Sequence, residues 1–137
     1  MKVVSACLAG IACRFDGKSK SNSKIIQLIK EGKAIAVCPE ELGGLSTPRT
    51  SAEQQGDKII SQQGIDLTQA YTTGAKKALA ITIENKCTDA ILKSNSPSCG
   101  CGKVYDGSFT GKLTNGDGIF CKTLKQHHIK VITEKDL

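Results

Sequence analysis

Short apolar segments alternate with longer segments of helical periodicity along the whole chain, and this alternation constrains the fold more than any other feature. Four segments have the length and apolar content of buried strands, at residues 2–6, 34–37, 89–93 and 129–133. Strands separated by helices pair in parallel through right-handed connections. The pattern therefore predicts a small single-domain, three-layer α/β fold over residues 1–137, with a mostly parallel, Rossmann-like sheet of about four strands.

Three segments have the apolar spacing of helices, at residues 23–32, 66–85 and 118–127. The longest of them is expected to begin at Asp66, with Gln69 completing a capping box. Residues 38–66 form a long connection, and connections of that length commonly carry function or cover a site.

The cysteine content indicates a reducing compartment. The chain has seven cysteines, an odd number, and begins with an apolar run too short for a secretory signal. No segment approaches the roughly 20 apolar residues that a membrane helix needs. We therefore expect a cytoplasmic protein with reduced thiols that does not enter a membrane.

Three cysteines occupy equivalent places in the predicted sheet. Cys7 and Cys38 directly follow the first and second strands, and Cys99 follows the third after a short loop. The carboxyl ends of parallel strands lie on one edge of a sheet, which is where such folds bind ligands. The sequence thus predicts that three thiols converge there.

Three converging thiolates favour an iron–sulfur cluster. Structural zinc commonly takes four ligands from paired cysteine motifs, which this chain lacks, whereas iron–sulfur clusters accept thiolates from separate loops. A four-iron cluster on three thiolates leaves one iron open as a Lewis acid. Cys13 is interpreted as a neighbour of the ligands or as a ligand, and Cys101 as a possible substitute for Cys99.

Polar side chains accompany these cysteines. Glu40 lies two residues after Cys38, where a carboxyl group in a partly dry pocket is suited to proton transfer. Ser96 and Ser98 lie beside Cys99, where their hydroxyls can cap a turn, bond a cluster sulfide or orient water.

The two arginines of the chain, Arg14 and Arg49, both lie in or just after cysteine-containing loops. Arginine recognises phosphate, carboxylate or a carbonyl edge, so both are candidate substrate-binding residues; the alternative is a structural pair with Asp16 or Glu53. The net charge of +6 suits an anionic ligand such as a nucleotide. With five aromatic residues and no tryptophan, the composition argues against a base-stacking surface for nucleic acid.

Four blocks, "SACLAGIACRFDG", "CPEELGGLSTPR", "AILKSNSPSCG" and "VYDGSFTGK", closely resemble a bacterial family long labelled as of unknown function, some members of which are thiouracil desulfidases. The blocks extend over nearly the whole chain in the family's order. The resemblance implies an oxygen-sensitive [4Fe-4S] cluster held by Cys7, Cys38 and Cys99. It also implies a catalytic glutamate at Glu40 and a catalytic serine at Ser96 or Ser98.

The resemblance further implies conversion of a thiolated pyrimidine, either thiouracil or a 4-thiouridine nucleotide, to the oxo form with release of sulfide. Two other functions remain open on the sequence alone. One is a non-catalytic iron–sulfur redox or sensor protein, with Cys13 or Cys101 as a fourth ligand. The other is a cysteine-based sulfur transferase that works without iron.

Overall fold

The computed structural model describes all 137 residues. Its strands are β1 (Lys2–Ser5), β2 (Ala34–Val37), β3 (Ala52–Gln55), β4 (Lys58–Ser61), β5 (Asp89–Leu92), β6 (Lys103–Tyr105), β7 (Leu113–Asn115) and β8 (Lys130–Thr133). Its α-helices are α1 (Ser23–Lys30), α2 (Pro39–Leu42), α3 (Thr68–Glu84) and α4 (Ile119–Gln126). None of these helices combines the length and the apolar character needed to cross a bilayer.

The central sheet has the order β2-β1-β5-β8, and every neighbouring pair in it is parallel. These are the four strands that the sequence predicts, so the predicted parallel sheet is confirmed. The connections run through helices, which places the carboxyl ends of all four strands on one edge.

Alternation along the strands divides the core into two layers. Val3 and Leu92 face a cluster that includes Phe120 and Leu124 of α4, while Val4 packs on the opposite side. Phe120 and Leu124 are fully buried, and burial of a side chain of this size contributes about 1.5–3 kcal/mol. Helices therefore cover both faces of the sheet, as expected for a three-layer fold.

The start of α3 differs from the prediction. The helix begins at Thr68 with Leu67 as its N-cap, and Asp66 Oδ1 accepts a hydrogen bond from Thr68 N at 2.9 Å. Asp66 forms an antiparallel bridge with Ile60, and Leu67 N donates to Ile59 O at 2.8 Å. These bonds to β4 hold the chain extended through Asp66, so the helix starts at Thr68, one residue later than a cap at Asp66 requires.

The long connection contains secondary structure of its own. The helix α2 follows Cys38 directly, and β3 and β4 then form an antiparallel hairpin. The hairpin turns at Gly56 and Asp57, where Gly56 has a φ of 65° that glycine adopts without steric cost. A second hairpin, β6–β7, lies next to β3.

Two glycines let α2 pack tightly against α3. A Cβ atom on Gly74 would lie 1.9 Å from Pro39 O, and one on Gly43 would lie 2.1 Å from Ala70 O. Both distances are far below van der Waals contact, so only glycine permits this approach. The contact fixes the helix that carries Glu40.

Candidate functional site

A cavity of about 400 Å³ opens at the carboxyl edge of the central sheet. Its floor comes from the segments that follow β1, β2 and β5, and its walls include residues of both hairpins. Cavities of this size at this edge are the usual ligand sites of parallel α/β folds.

Three thiols from three strand ends line the cavity. Cys7 lies in the 3₁₀ turn after β1, Cys38 is the residue between β2 and α2, and Cys99 follows β5. Cys7 and Cys99 are buried and Cys38 is half-buried, and all three are free thiols.

Burial raises the pKa of two of these thiols. The pKa of Cys7 rises to about 11, first because burial disfavours the thiolate and second because of the charge of Glu40. The same two causes raise the pKa of Cys99 well above its ordinary value. A bound cation would supply the opposite charge that stabilises these thiolates.

Cys13 also lines the cavity and contacts Cys38. It is 3% exposed, and Cys38 Sγ lies 3.8 Å from the Cys13 carbonyl oxygen. The thiol of Cys13 can donate to the Cys38 thiolate, and this hydrogen bond lowers the pKa of Cys38. Cys13 thus favours the ionised form of its neighbour.

Glu40 lies in the first turn of α2 and forms a buried ion pair. Arg49 Nη2 donates to Glu40 Oε2 at 3.1 Å. The Arg49 side chain is 7% exposed and the Glu40 side chain is 16% exposed. Burial raises the pKa of Glu40, and the nearby guanidinium opposes that rise only in part. The carboxyl group therefore retains a proton to a higher pH than an exposed glutamate.

Of the two serines beside Cys99, only Ser96 lines the cavity. Its Oγ accepts hydrogen bonds from the backbone N–H of Cys99 at 2.6 Å and of Ser98 at 3.2 Å, which closes the turn that holds Cys99. Ser98 is fully buried outside the cavity lining, and its Oγ has no hydrogen-bond partner.

Comparisons with known proteins give matches over nearly the full chain. The family model described as 2-thiouracil desulfurase matches residues 3–136. The protein belongs to this family. The resemblance inferred from the four sequence blocks is thereby confirmed.

Two relatives extend this result. The uncharacterized protein YbbK of Bacillus subtilis (strain 168) is 44% identical in an alignment 147 positions long, which covers 100% of this chain and 97% of YbbK. A solved structure described as the [4Fe-4S]-dependent thiouracil desulfidase TudS is 42% identical and superposes with a TM-score of 0.94, covering 98% of this chain and 91% of that one.

The arginines of this desulfurase-family chain occupy different places. Arg14 lines the cavity beside Phe15, and its Nη2 lies 3.5 Å from Asp16 Oδ2. Arg49 does not line the cavity. Its guanidinium also donates to the backbone carbonyls of Cys13 and Ser46, at 3.1 and 3.2 Å. Arg49 therefore stabilises the loop of Cys13, which lines the cavity, from behind.

Of the two structural pairs considered as an alternative for the arginines, the pair with Asp16 is present and the pair with Glu53 is not. Glu53 Oε1 instead accepts the backbone N–H groups of Gly107 and Phe109, at 3.0 and 3.1 Å, and thereby ties the β6–β7 loop to β3. Phe109 lines the cavity through this contact.

Two polar residues that line the cavity, Tyr71 and Lys93, were not predicted from the sequence. Tyr71 of α3 is buried and lines the cavity, and burial followed by the charge of Glu40 raises its pKa. Lys93 also lines the cavity, and its Nζ lies 3.1 Å from Glu134 Oε2 and 3.1 Å from Ser94 Oγ. Tyr71 falls within the helix predicted at residues 66–85, where apolar spacing does not reveal a role at a site, and no local signal distinguishes Lys93 from the other lysines.

The structure does not bring Cys101 to the cavity. Its Sγ lies 3.8 Å from the Val131 carbonyl oxygen, near Cys121 and Asp117. The loop turns between Cys99 and Cys101, so the two thiols point to different sides of it and Cys101 cannot substitute for Cys99.

Proposed function

We propose that this protein is a [4Fe-4S]-dependent thiouracil desulfidase, which converts the thiocarbonyl of a thiolated pyrimidine to a carbonyl and releases sulfide. The observation that carries the proposal is the convergence of Cys7, Cys38 and Cys99 on one cavity that also contains Glu40. The oxygen comes from water and the sulfur leaves as sulfide, so the reaction exchanges no electrons.

The donor set fits the cluster. Cys7, Cys38 and Cys99 would hold it, because soft thiolates from separate loops are the ligands such clusters take. Cys13 would support Cys38 through its thiol hydrogen bond rather than bind iron. When bound, the cluster supplies an iron atom without a protein ligand, which can polarise a thiocarbonyl as a Lewis acid.

Glu40 is proposed to move the protons of the reaction. Its raised pKa lets the carboxyl group hold a proton for a ring nitrogen or accept one from the attacking water. Arg49 fixes the orientation of this carboxyl group through the 3.1 Å ion pair. Ser96 holds the Cys99 turn and presents its hydroxyl at the cavity, where it can position water or substrate.

The cavity lining suits a substrate with an aromatic ring and a negative charge. Phe15, Tyr105 and Phe109 provide flat apolar surface, while Arg14 and Lys93 provide cationic groups. A free base uses only the apolar part, whereas the phosphate of a nucleotide would contact the cations. We therefore propose that the enzyme accepts a 4-thiouridine nucleotide as well as thiouracil.

Anaerobic reconstitution with iron and sulfide, followed by incubation with 2-thiouracil, 4-thiouracil and 4-thio-UMP, tests the proposal. Sulfide and the oxo product are expected from the reconstituted protein, with loss of turnover in Cys38→Ala and Glu40→Gln. Cys87→Ala is the matched control, because Cys87 is a buried thiol outside the cavity.

Two results would favour the other functions. Full turnover by metal-free protein would indicate a cysteine-based sulfur transferase. A reconstituted cluster that releases no sulfide from any of the three compounds, and is lost in Cys13→Ala, would indicate a redox or sensor protein with four cysteine ligands.

We also propose that the protein works in the cytoplasm as one domain over residues 1–137. All seven cysteines are free thiols, which is typical of proteins in reducing compartments. The family match over residues 3–136 supports a single functional unit.

A further inference from the structure

A second group of metal-ligating side chains lies outside the cavity. The Sγ atoms of Cys101 and Cys121 and a carboxylate oxygen of Asp117 all lie within 4.8 Å of one another. None of the three residues lines the cavity at the strand ends. We infer that these side chains form a separate binding site for Zn²⁺, which fastens the loop after Cys99 to α4.

The distances suit zinc. Zinc binds thiolate sulfur at about 2.3 Å and carboxylate oxygen at about 2.0–2.2 Å in a tetrahedral arrangement. Two sulfur ligands of one zinc ion are consequently about 3.8 Å apart. Donor atoms that already lie within 4.8 Å of one another need to move by no more than about 1 Å to reach this geometry.

The backbone holds the two halves of the site in register. Gly118 N donates to Gly100 O at 2.7 Å and Gly116 N donates to Gly102 O at 3.2 Å, so the segments before and after the β6–β7 hairpin run side by side. Gly102 N also donates to Asp117 Oδ1 at 2.7 Å, which orients the carboxylate. A hydrogen bond of this kind to a ligating carboxylate is typical of metal sites.

The local charges also favour a dication. Two thiolates and one carboxylate carry three negative charges, and Zn²⁺ neutralises two of them. Lys125 Nζ lies 3.0 Å from Asp117 Oδ2 and balances the remaining charge. Lys125 Nζ also lies 3.2 Å from Asp117 Oδ1, and its side chain is 44% exposed, so it can shift beside the carboxylate and still balance the charge when one oxygen binds the metal.

Because the three ligands are not equally buried, one side of the proposed zinc site is open to solvent. That side offers a path for the metal ion and room for a fourth ligand. Cys121 is fully buried, whereas Cys101 and Asp117 are both half-buried. Zinc can therefore enter from the side of Cys101, and a water molecule on that side completes the tetrahedron. The ion would tie the segment two residues after Cys99 to the buried face of α4.

Zinc binding by the cluster-loaded protein tests the inference. The reconstituted full-length protein is dialysed anaerobically against zinc-buffered solution, and its zinc content and affinity are measured by elemental mass spectrometry and chelator competition. About one zinc per chain is expected in the wild type and in Cys87→Ala. Removal of a direct ligand in Cys101→Ala should weaken zinc affinity by at least about tenfold, since loss of a mere supporting contact costs 10–100-fold.

Asp117→Asn should also weaken zinc binding, and circular dichroism verifies that each variant folds. X-ray absorption at the zinc edge should show two sulfur ligands with oxygen completing the shell. The inference is overturned if the wild type retains no zinc, if Cys101→Ala binds zinc as tightly as the wild type, or if the absorption spectrum shows three or more sulfur ligands. Because the readout is zinc in a cluster-loaded protein, failure here leaves the desulfidase proposal intact.

Discussion

Arg49 and Glu40 form an ion pair from which most water is excluded, with Nη2 and Oε2 3.1 Å apart. The same Nη2 donates to the carbonyl of Cys13, and Nη1 donates to Thr47 Oγ1 at 3.0 Å. One guanidinium thus connects the carboxyl group proposed to move protons with the loop that carries Cys13. This arrangement needs the planar, multiply donating group of arginine, which lysine does not provide.

Arg49→Met should lower the free energy of unfolding by about 3–5 kcal/mol near neutral pH, because it leaves the Glu40 carboxylate buried without a partner. Urea unfolding of the metal-free protein measures this loss. In the double variant Arg49→Met/Glu40→Gln, no charge is left uncompensated, so its loss should be smaller than the sum of the single losses. Strict additivity would contradict this account of the pair.

Ser96→Ala should destabilise the metal-free protein by about 1–3 kcal/mol, because it removes the acceptor of the Cys99 and Ser98 N–H groups. Ser98→Ala is the matched control, since its buried hydroxyl makes no hydrogen bond. Removal of that hydroxyl should cost no more than about 0.5 kcal/mol. Chemical unfolding compares the two variants, and desulfidase activity should fall only in Ser96→Ala. A larger loss in Ser98→Ala would show that the roles of the two serines are reversed.

Glu134 should make stability depend on acid pH. Burial alone would raise its pKa, but the Ser94 N–H and the Lys93 ammonium outweigh burial and lower it below the ordinary 4.5. A lowered pKa stabilises the folded state above about 4.5, and this stabilisation is lost as pH falls through the folded-state value. Thermal unfolding from neutral pH to about pH 3 should show the wild type losing stability relative to Glu134→Gln. A difference that stays constant over this range would exclude the Glu134 network as the cause.

Gly74→Ala should destabilise the protein by about 1–3 kcal/mol despite the better helix propensity of alanine, which is worth about 1 kcal/mol. The new methyl group would lie 1.9 Å from Pro39 O and would push α2, with Glu40, away from the cavity. Denaturant unfolding and activity assays should both record a loss. Lys76→Ala on the exposed side of α3 should change stability by no more than about 0.5 kcal/mol. If Gly74→Ala is as stable as the wild type, the tight helix contact does not position Glu40.

Local patterns in the amino-acid sequence are sufficient to predict the parallel sheet and the convergence of its three cysteines. Short apolar strands alternate with helices of clear periodicity, and that order brings Cys7, Cys38 and Cys99 to one edge. These predictions depend on the apolar pattern within each short segment and on the order of the segments along the chain, and both can be read directly from the sequence.

Contacts between side chains that are distant in sequence could not be predicted in this way, because they depend on how the elements pack. The Arg49–Glu40 pair and the placement of Tyr71 and Lys93 depend on packing between elements distant in sequence. The start of α3 was misjudged because β4 holds Asp66 in an extended bridge, and this tertiary hydrogen bond overrides the local capping preference. Cys101 and Cys99, two residues apart, face different surroundings because the loop turns between them, and no spacing rule reveals the direction of a side chain in such a turn.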